Sequence, residues 1–260
     1  MDINTFNRDG WDQRVAERDH WTLPVSPETI ARAREGSWSV LLTSTKDVPL
    51  EWFGDLEGKD VLALASGGGQ QGPVFAAAGA RVTVFDASER QLAGDRMVAD
   101  RDRLELTTVQ GYMHDLSAFE PESFDLIFHP VSNCYAPHVP PVWKEAFRVL
   151  RPGGTLLSGF MTPASYIFDA LAEDRGELIL KHPLPYADNK DLPDHEREEI
   201  ARECHTFEFS HTLDDQIGGQ LAAGFLLSGF YEDCEPKRLV AQYFPDMIAT
   251  RAIKPLLTTQ

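Results

Sequence analysis

The sequence predicts a doubly wound α/β sheet, and three observations carry that expectation. A glycine-rich stretch, Ser66-Gly67-Gly68-Gly69-Gln70-Gln71-Gly72, follows an apolar run, Val61-Leu62-Ala63-Leu64-Ala65, and precedes a helix-like run from Pro73 to Gly79. A second apolar run, Arg81-Val82-Thr83-Val84-Phe85, closes on Asp86, fourteen residues after Gly72. From Lys59 onward such runs alternate with helical patterns, which implies a parallel sheet with helices on both faces. Strand, glycine turn, helix, strand and acid is the layout of a nucleotide-binding βαβ unit. Its glycines let the backbone approach a ligand, and its acid accepts hydrogen bonds from ribose hydroxyls.

The elements follow in order. Residues 1–57 are a polar, tryptophan-bearing lead-in, expected to form an N-terminal helical cap segment. Within it residues 7–19 read as a helix and residues 21–27 as an extended crossing. Ser26 is placed to cap a helix with Pro27 at its first position and Glu28 in its first turn. Residues 58–260 form the expected cofactor-binding domain. Strand 1 spans 60–65 with a helix over 71–78, and strand 2 spans 81–85. Ser88 caps the next helix with Gln91 at the capping-box position. Strand 3 covers 106–109 and strand 4 covers 124–128. A helix over 142–150 and a tight turn, Arg151-Pro152-Gly153-Gly154, lead into strand 5 at 155–160. Residues 163–204 are charged, proline-bearing and too long for an ordinary connection, so they read as an insertion or lid over the sheet's active edge. Structure resumes at 206–210. Thr212 caps a helix that has Asp215 at the capping-box position and ends at Gly224; strand 6 spans 225–232. A short helix over 236–243 leads to a last strand at 247–253.

Composition narrows the function classes. A chain of 260 residues suits one large α/β domain or a domain with an inserted cap. Its 41 acidic against 24 basic residues give a net charge of −17, which argues against nucleic acid and against an anionic membrane surface as partners. Cys134, Cys204 and Cys234 lie far apart without CxxC spacing, as expected of free thiols in a reducing, cytoplasmic setting. The first residues lack a basic start and an apolar h-region, so no signal peptide is expected. No apolar stretch approaches the ~20 residues of a spanning helix.

Gly67-x-Gly69-x-x-Gly72 matches the dinucleotide fingerprint, which by itself favours a nicotinamide or flavin cofactor. The pieces beyond the loop point elsewhere. Residues 61–69 resemble motif I of class I S-adenosylmethionine-dependent methyltransferases, and Val84-Phe85-Asp86-Ala87-Ser88 resembles their second motif. Ser123-Phe124-Asp125-Leu126-Ile127 is similar to their fourth strand, and residues 147–156 to their helix-turn-strand signature. Ala222-Ala223-Gly224-Phe225 is similar to their entry into strand 6. The stretches Ala65–Gln71, His129–Tyr135 and Ser210–Leu221 resemble a bacterial, type 11-like branch of the family. The resemblance covers residues 59–160 strongly and 206–254 more loosely.

This resemblance implies a seven-stranded sheet with an antiparallel last strand. It also implies S-adenosylmethionine as cofactor and a small-molecule acceptor whose methylated atom stays open. The backbone of Ala65, Ser66, Gly67 and Gly69 would lie along the methionyl part and ribose, and Asp86 would take the ribose hydroxyls. Ala87 would sit at the adenine edge, Met113 would offer a backbone N–H to the adenine with His114 beside it, and His129 would face the sulfonium end. Two departures stand out. Ala63 occupies a position that is usually acidic near the methionyl ammonium, and Tyr112 replaces an Asp or Asn near the adenine amino group, with Asp115 as a substitute.

Methyl transfer from a sulfonium needs alignment, exclusion of water and, for some acceptors, a base. His129 and His138, in the loop after strand 4, and His211, before the Thr212 helix, are the candidate bases; scaffold histidines are the plainer reading of each. Asn133 and Tyr135 share that loop. Trp11 and Trp21 are placed to roof the pocket, whereas Trp38 and Trp52 read as core anchors, and Cys134 as packing. No residues show metal-ligand spacing. Two alternatives stay open at this level: a nicotinamide-dependent oxidoreductase, and a non-catalytic module binding an adenosine cofactor.

Overall fold

The computed structural model describes residues 2–203 and 205–256, so Cys204 lies outside the described residues. Its centre is a seven-stranded sheet in the order β3-β2-β1-β4-β5-β7-β6. The strands are β1 (Asp60–Leu64), β2 (Arg81–Asp86), β3 (Leu106–Gln110), β4 (Phe124–His129), β5 (Leu150–Met161), β6 (Leu226–Asp233) and β7 (Met247–Ile253). Adjacent strands from β3 to β5 pair in parallel, whereas β7 runs antiparallel to both β5 and β6. The strand order reverses beside β1, so the carboxyl ends of β1 and β4 flank a topological switch point, where open α/β sheets bind ligands.

Both faces of the sheet's centre are covered, because β1 and β4 are apolar on both sides. Val61 and Ala63 of β1 join one core with Phe75 and Phe128, and Leu62 and Leu64 join the other with Trp143 and Phe225. The first core is closed by α2 (Pro27–Arg34) and α3 (Gln71–Ala77), with Trp38 edge-on to Phe53 and Phe75. Trp52 packs on Tyr231 of β6. The second core is covered by α5 (Pro140–Val149). Ser26 accepts from the Thr29 N–H, and Ser88 from the Gln91 N–H at the start of α4 (Glu89–Asp102).

Several elements differ from the sequence reading, each for a local reason. The first helix, α1 (Ile3–Ala16), begins earlier than residue 7 because the Asp2 side chain caps it. The Arg151–Gly154 segment is a bulge inside β5: Gly153 N donates to Lys254 O at 2.8 Å and Lys254 N to Gly154 O at 2.9 Å, which carries the pairing through. The Thr212–Asp215 capping box forms, with Asp215 N 3.0 Å from Thr212 Oγ1, but a π turn over Asp214–Gly218 precedes α9 (Gly219–Ala223). There Gly219 N bonds back to Asp214 O, and the Asp215 carbonyl instead accepts the Trp143 indole N–H at 2.9 Å. Gly219 lies so close to Trp143 that a Cβ would sit 2.6 Å from the ring, which accounts for a glycine at that point. Residues 236–243 hold only a 3₁₀ turn, Leu239–Gln242.

Residues 163–204 contain three short helices, α6 (Ala170–Asp174), α7 (Asp188–Asp191) and α8 (Asp194–Glu203). They share a small core of Tyr186, Leu192, Ile200, Phe207 and Phe209, against which Ile3 and Phe6 of α1 pack. Residues 206–210 form no strand; each N–H from 207 to 210 is satisfied separately. Phe207 N donates to Asn7 Oδ1, Glu208 N to Asp188 Oδ2, Phe209 N to Cys134 O and Ser210 N to Tyr186 O, at 2.7–2.8 Å.

Asn7 is central to this arrangement. Buried on α1, it also donates from Nδ2 to Tyr135 O and Phe207 O, both at 2.9 Å. Asn7→Ala strands these buried backbone groups and is expected to cost ~2–4 kcal/mol, since each unsatisfied group costs about 1–3 kcal/mol. Urea unfolding should show a lower midpoint at unchanged slope. An unchanged midpoint would mean that water replaces the amide.

Candidate active site

One cavity of about 990 Å³ runs along the carboxyl edge of the sheet. Gly111 after β3, Asp86 of β2, Ala65 after β1, Pro130 after β4, Met161 of β5 and Met247 of β7 all line it. The volume lies at the upper end of the ~300–1,000 Å³ typical of small-molecule sites, enough for a nucleoside cofactor with a second ligand beside it.

The loop after β1 shapes one end. Ala65 takes a left-handed φ of 47°, a conformation that L side chains adopt at a cost, and its N–H donates to Phe85 O at 2.7 Å. Gly67 N donates to Asp86 Oδ2 at 3.0 Å, and a Cβ on Gly67 would meet Gln91 Cβ at 2.7 Å. Asp86 Oδ1 accepts from Ser88 N at 2.9 Å. Withdrawal from water pushes the Asp86 carboxyl above the usual range, against the opposing pull of these N–H groups. Behind the loop, Asp95 of α4 is fully buried. Its Oδ2 accepts from Gly68 N at 2.9 Å, its Oδ1 has no hydrogen-bond partner, and burial raises the carboxyl to about 7.

The N-terminal segment closes the same end. Val25 N donates to Gly69 O at 2.9 Å, and Gln70 Nε2 reaches the carbonyls of Trp21 and Leu23 at 3.1 Å. Asp12 Oδ1 of α1 accepts from Ser88 Oγ at 2.6 Å. Trp11 and Trp21 both line the cavity, Trp11 edge-on to Tyr135 and covered by the Arg14 guanidinium 4.6 Å from its ring.

Of the residues singled out in the sequence, Ala65, Ser66, Gly67, Asp86, Ala87, Met113 and His114 line this cavity, as do Tyr112, Cys134 and Tyr135. Gly69 does not; it faces α4, where a Cβ would sit 2.7 Å from Gly94 O. Ala63 is fully buried in the core, and Asp115 is exposed and accepts from Ser117 N in its own turn.

The three histidines expected as bases are not among the cavity residues. His129 is fully buried, with Nδ1 3.0 Å from Leu64 O and Nε2 2.8 Å from Asn133 Oδ1. Burial holds its pKa below the ordinary value. It belongs to a buried chain in which Asn133 Nδ2 donates to Gln216 Oε1, Gln220 Nε2 to Gln216 O, and Thr250 Oγ1 to Gln220 Oε1. His211 Nε2 lies 2.9 Å from Ala136 O and 3.1 Å from Asn133 O, and burial also lowers its pKa. His138 is exposed. Both buried rings brace the loop after β4, leaving neither placed to take a substrate proton.

Other groups of the far half escaped the sequence reading. Tyr166, Tyr186, Asp188 and Glu208 come from residues 163–210, and Arg14 from α1. Their sequence context is irregular, and only the packing of that segment onto α1 brings them together.

A family model described as a methyltransferase domain matches residues 62–158. Over 248 residues, 95% of this chain and 97% of the other, the sequence is 50% identical to a Bacillus subtilis protein described as the uncharacterized methyltransferase YbaJ. This chain is a class I S-adenosylmethionine-dependent methyltransferase. The methyltransferase has the fold of an S-adenosylmethionine-dependent methyltransferase from Mesorhizobium loti, at TM-score 0.61 and 17% identity, covering 78% of this chain and 94% of that one. A second, from Listeria monocytogenes, aligns at TM-score 0.57 and 20% identity over 78% and 94% of the two chains. The methyltransferase family fixes S-adenosylmethionine as cofactor, so the glycine fingerprint does not signify a nicotinamide. Among the described residues no helix is long and apolar enough to cross a membrane.

Asp95 makes stability depend on pH with a sign that can be worked out. Its folded pKa, about 7, lies above the ~3.9 of an unfolded aspartate, so its protonated form stabilises the fold fully below pH ~4. That contribution is lost as pH rises to about 7, at up to roughly 1.4 kcal/mol per pH unit. Asp95→Asn should flatten the stability–pH curve between pH 4 and 7 relative to the parent in urea titrations. Parallel curves would contradict this assignment.

Proposed function

We propose that the protein transfers a methyl group from S-adenosylmethionine to a small molecule held in the far half of the same cavity. The observation carrying this reading is the continuity of the two halves: glycine loop, Asp86 and Met113 at one end, and a chamber roofed by α1 and by residues 163–210 at the other. The acidity of the chain, at net −17, supports a small molecule over a nucleic acid.

The residues present fit the cofactor. Each Asp86 oxygen gives one lone pair to a backbone N–H and retains another for a ribose hydroxyl. Gly67, with no room for a Cβ between Gln91 and Asp86, lines the cavity beside that carboxylate, and Ala87, Met113 and His114 border the adenine end. Bound there, S-adenosylmethionine supplies an activated methyl group on a sulfonium. The protein's part is to orient the acceptor, exclude water beneath α1 and the 163–210 segment, and accept a proton where the acceptor carries one. With His129 and His211 held in the scaffold, that proton goes to a residue of the chamber.

Calorimetry should show binding of S-adenosylmethionine and S-adenosylhomocysteine but not NAD. Asp86→Ala should weaken both by tenfold or more, about 1.4 kcal/mol. Labelled methyl donor with a metabolite panel should give turnover on a small molecule. Tight NAD binding without the sulfonium cofactor, or transfer only to nucleic acid or protein, would overturn the reading.

A further inference from the structure

The far half of the cavity holds a carboxylate with no direct ion pair among the described residues. Glu208 lines it, and its Oε2 accepts from the Tyr166 hydroxyl at 2.8 Å, while its Oε1 has no hydrogen-bond or ion-pair partner among the described residues. The arginines that share the cavity make their ion pairs with other acids. Arg14 pairs with Asp19 at 2.9 Å and reaches the Tyr135 hydroxyl at 3.4 Å, Arg8 pairs with Asp9 at 2.7 Å, and Arg238, which also feels the Glu208 charge, pairs directly with Glu173 at 2.7 Å and Asp246 at 3.5 Å. Lys237 is exposed and forms no ion pair with Glu208. The neighbouring acid, Asp188, is buried, takes the Tyr186 hydroxyl at 2.6 Å and the Glu208 N–H at 2.7 Å, and burial lifts its carboxyl to about 6.

Glu208 is also fixed in place before any ligand arrives. Asn7 grips Phe207 on one side, Cys134 O holds Phe209 on the other, and Asp188 holds Glu208 itself. Burial first and the Glu208 charge second push the Cys134 thiol and the Tyr135 and Tyr166 hydroxyls above their usual ranges, so these neighbours stay neutral. A rigid carboxylate with one free oxygen, set among aromatic rings, is complementary to an organic cation. A carboxylate ligand would meet a like charge, and a neutral hydroxyl would leave the charge uncompensated.

We infer that the acceptor is an amine, bound with its ammonium N–H on Glu208 Oε1 and its carbon skeleton against Trp11, Tyr135 and Tyr166. Glu208 then takes a proton. The N–H bond breaks with its electron pair kept by nitrogen, an O–H bond forms on Oε1, and the proton passes to water when the product leaves. The freed nitrogen pair, turned from Oε1 to the donor methyl by rotation about the amine's C–N bond, is the nucleophile. An N–CH3 bond forms as the S–CH3 bond breaks, its electron pair stays on sulfur, and S-adenosylhomocysteine is left. This assignment rests on the methyl-transfer reading above.

The test is calorimetry on the full chain saturated with S-adenosylhomocysteine. The probes are primary amines graded from ethylamine to phenethylamine and tryptamine, each beside the alcohol and carboxylate of the same skeleton. At least one amine should bind tenfold or more tighter than both matched probes. Glu208→Gln should abolish that preference while the S-adenosylhomocysteine Kd stays within twofold and the melting temperature holds. No amine preference in the parent protein, or a preference that survives in Glu208→Gln, overturns the inference. If the glutamine variant does not fold, the parent comparison decides alone. S-adenosylhomocysteine binding without amine preference sinks only this inference, whereas no S-adenosylhomocysteine binding sinks the methyl-transfer reading as well.

Discussion

The side chain of Asn7 joins pieces of chain that the sequence keeps far apart: α1, the turn after β4 at Tyr135, and Phe207 beyond α8. Three hydrogen bonds from one buried amide do what an apolar contact could not, because they fix direction as well as distance. Three residues further along α1, Gly10 brings the helix so close to the chain that a Cβ would lie 1.9 Å from His205 O. At the helix's other end Asp12 holds Ser88 beside the glycine loop. The cavity therefore has walls because α1 has no freedom to sit elsewhere.

The same economy appears beneath the glycine loop. Asp86 and Asp95 grip successive backbone N–H groups, Gly67 and Gly68, from two sides. Such a loop is organised before the cofactor reaches it, so binding spends little of its free energy on ordering the backbone. Ala65 in its left-handed conformation belongs to that arrangement: Phe85 O holds its N–H, and the neighbouring contacts over-determine the strain. His129 and His211 brace the adjoining loop in a comparable way.

The parallel part of the sheet was legible because β1, β2 and β4 are short apolar runs followed by turn signals, and the antiparallel β7, Met247–Ile253, was read to the residue. Seven of the residues proposed from the family motifs line the cavity, since motif spacing there reflects one compact βαβ unit. His129 and His211 take the plainer scaffold reading rather than that of bases, because chemical type alone does not reveal burial; only the sheet's packing shows His129 bonded to Leu64 O. Glu208, Tyr166 and Asp188 were illegible for the opposite reason. Their segment has no periodicity, and its conformation is dictated by contacts with Asn7, Cys134 and Tyr186 that are remote in sequence or lie within the segment itself. The Arg151–Gly154 turn failed as a boundary because Lys254, a hundred residues away, supplies the strand pairing.

α1 contributes Arg8 and Trp11 as well as Asn4, Asn7 and Arg14 to the cavity lining, and it is tied to both halves, through Asp12 to Ser88 and through Asn7 to Phe207. A single rigid lever thus covers two compartments. Any displacement of α1 would therefore open both compartments together.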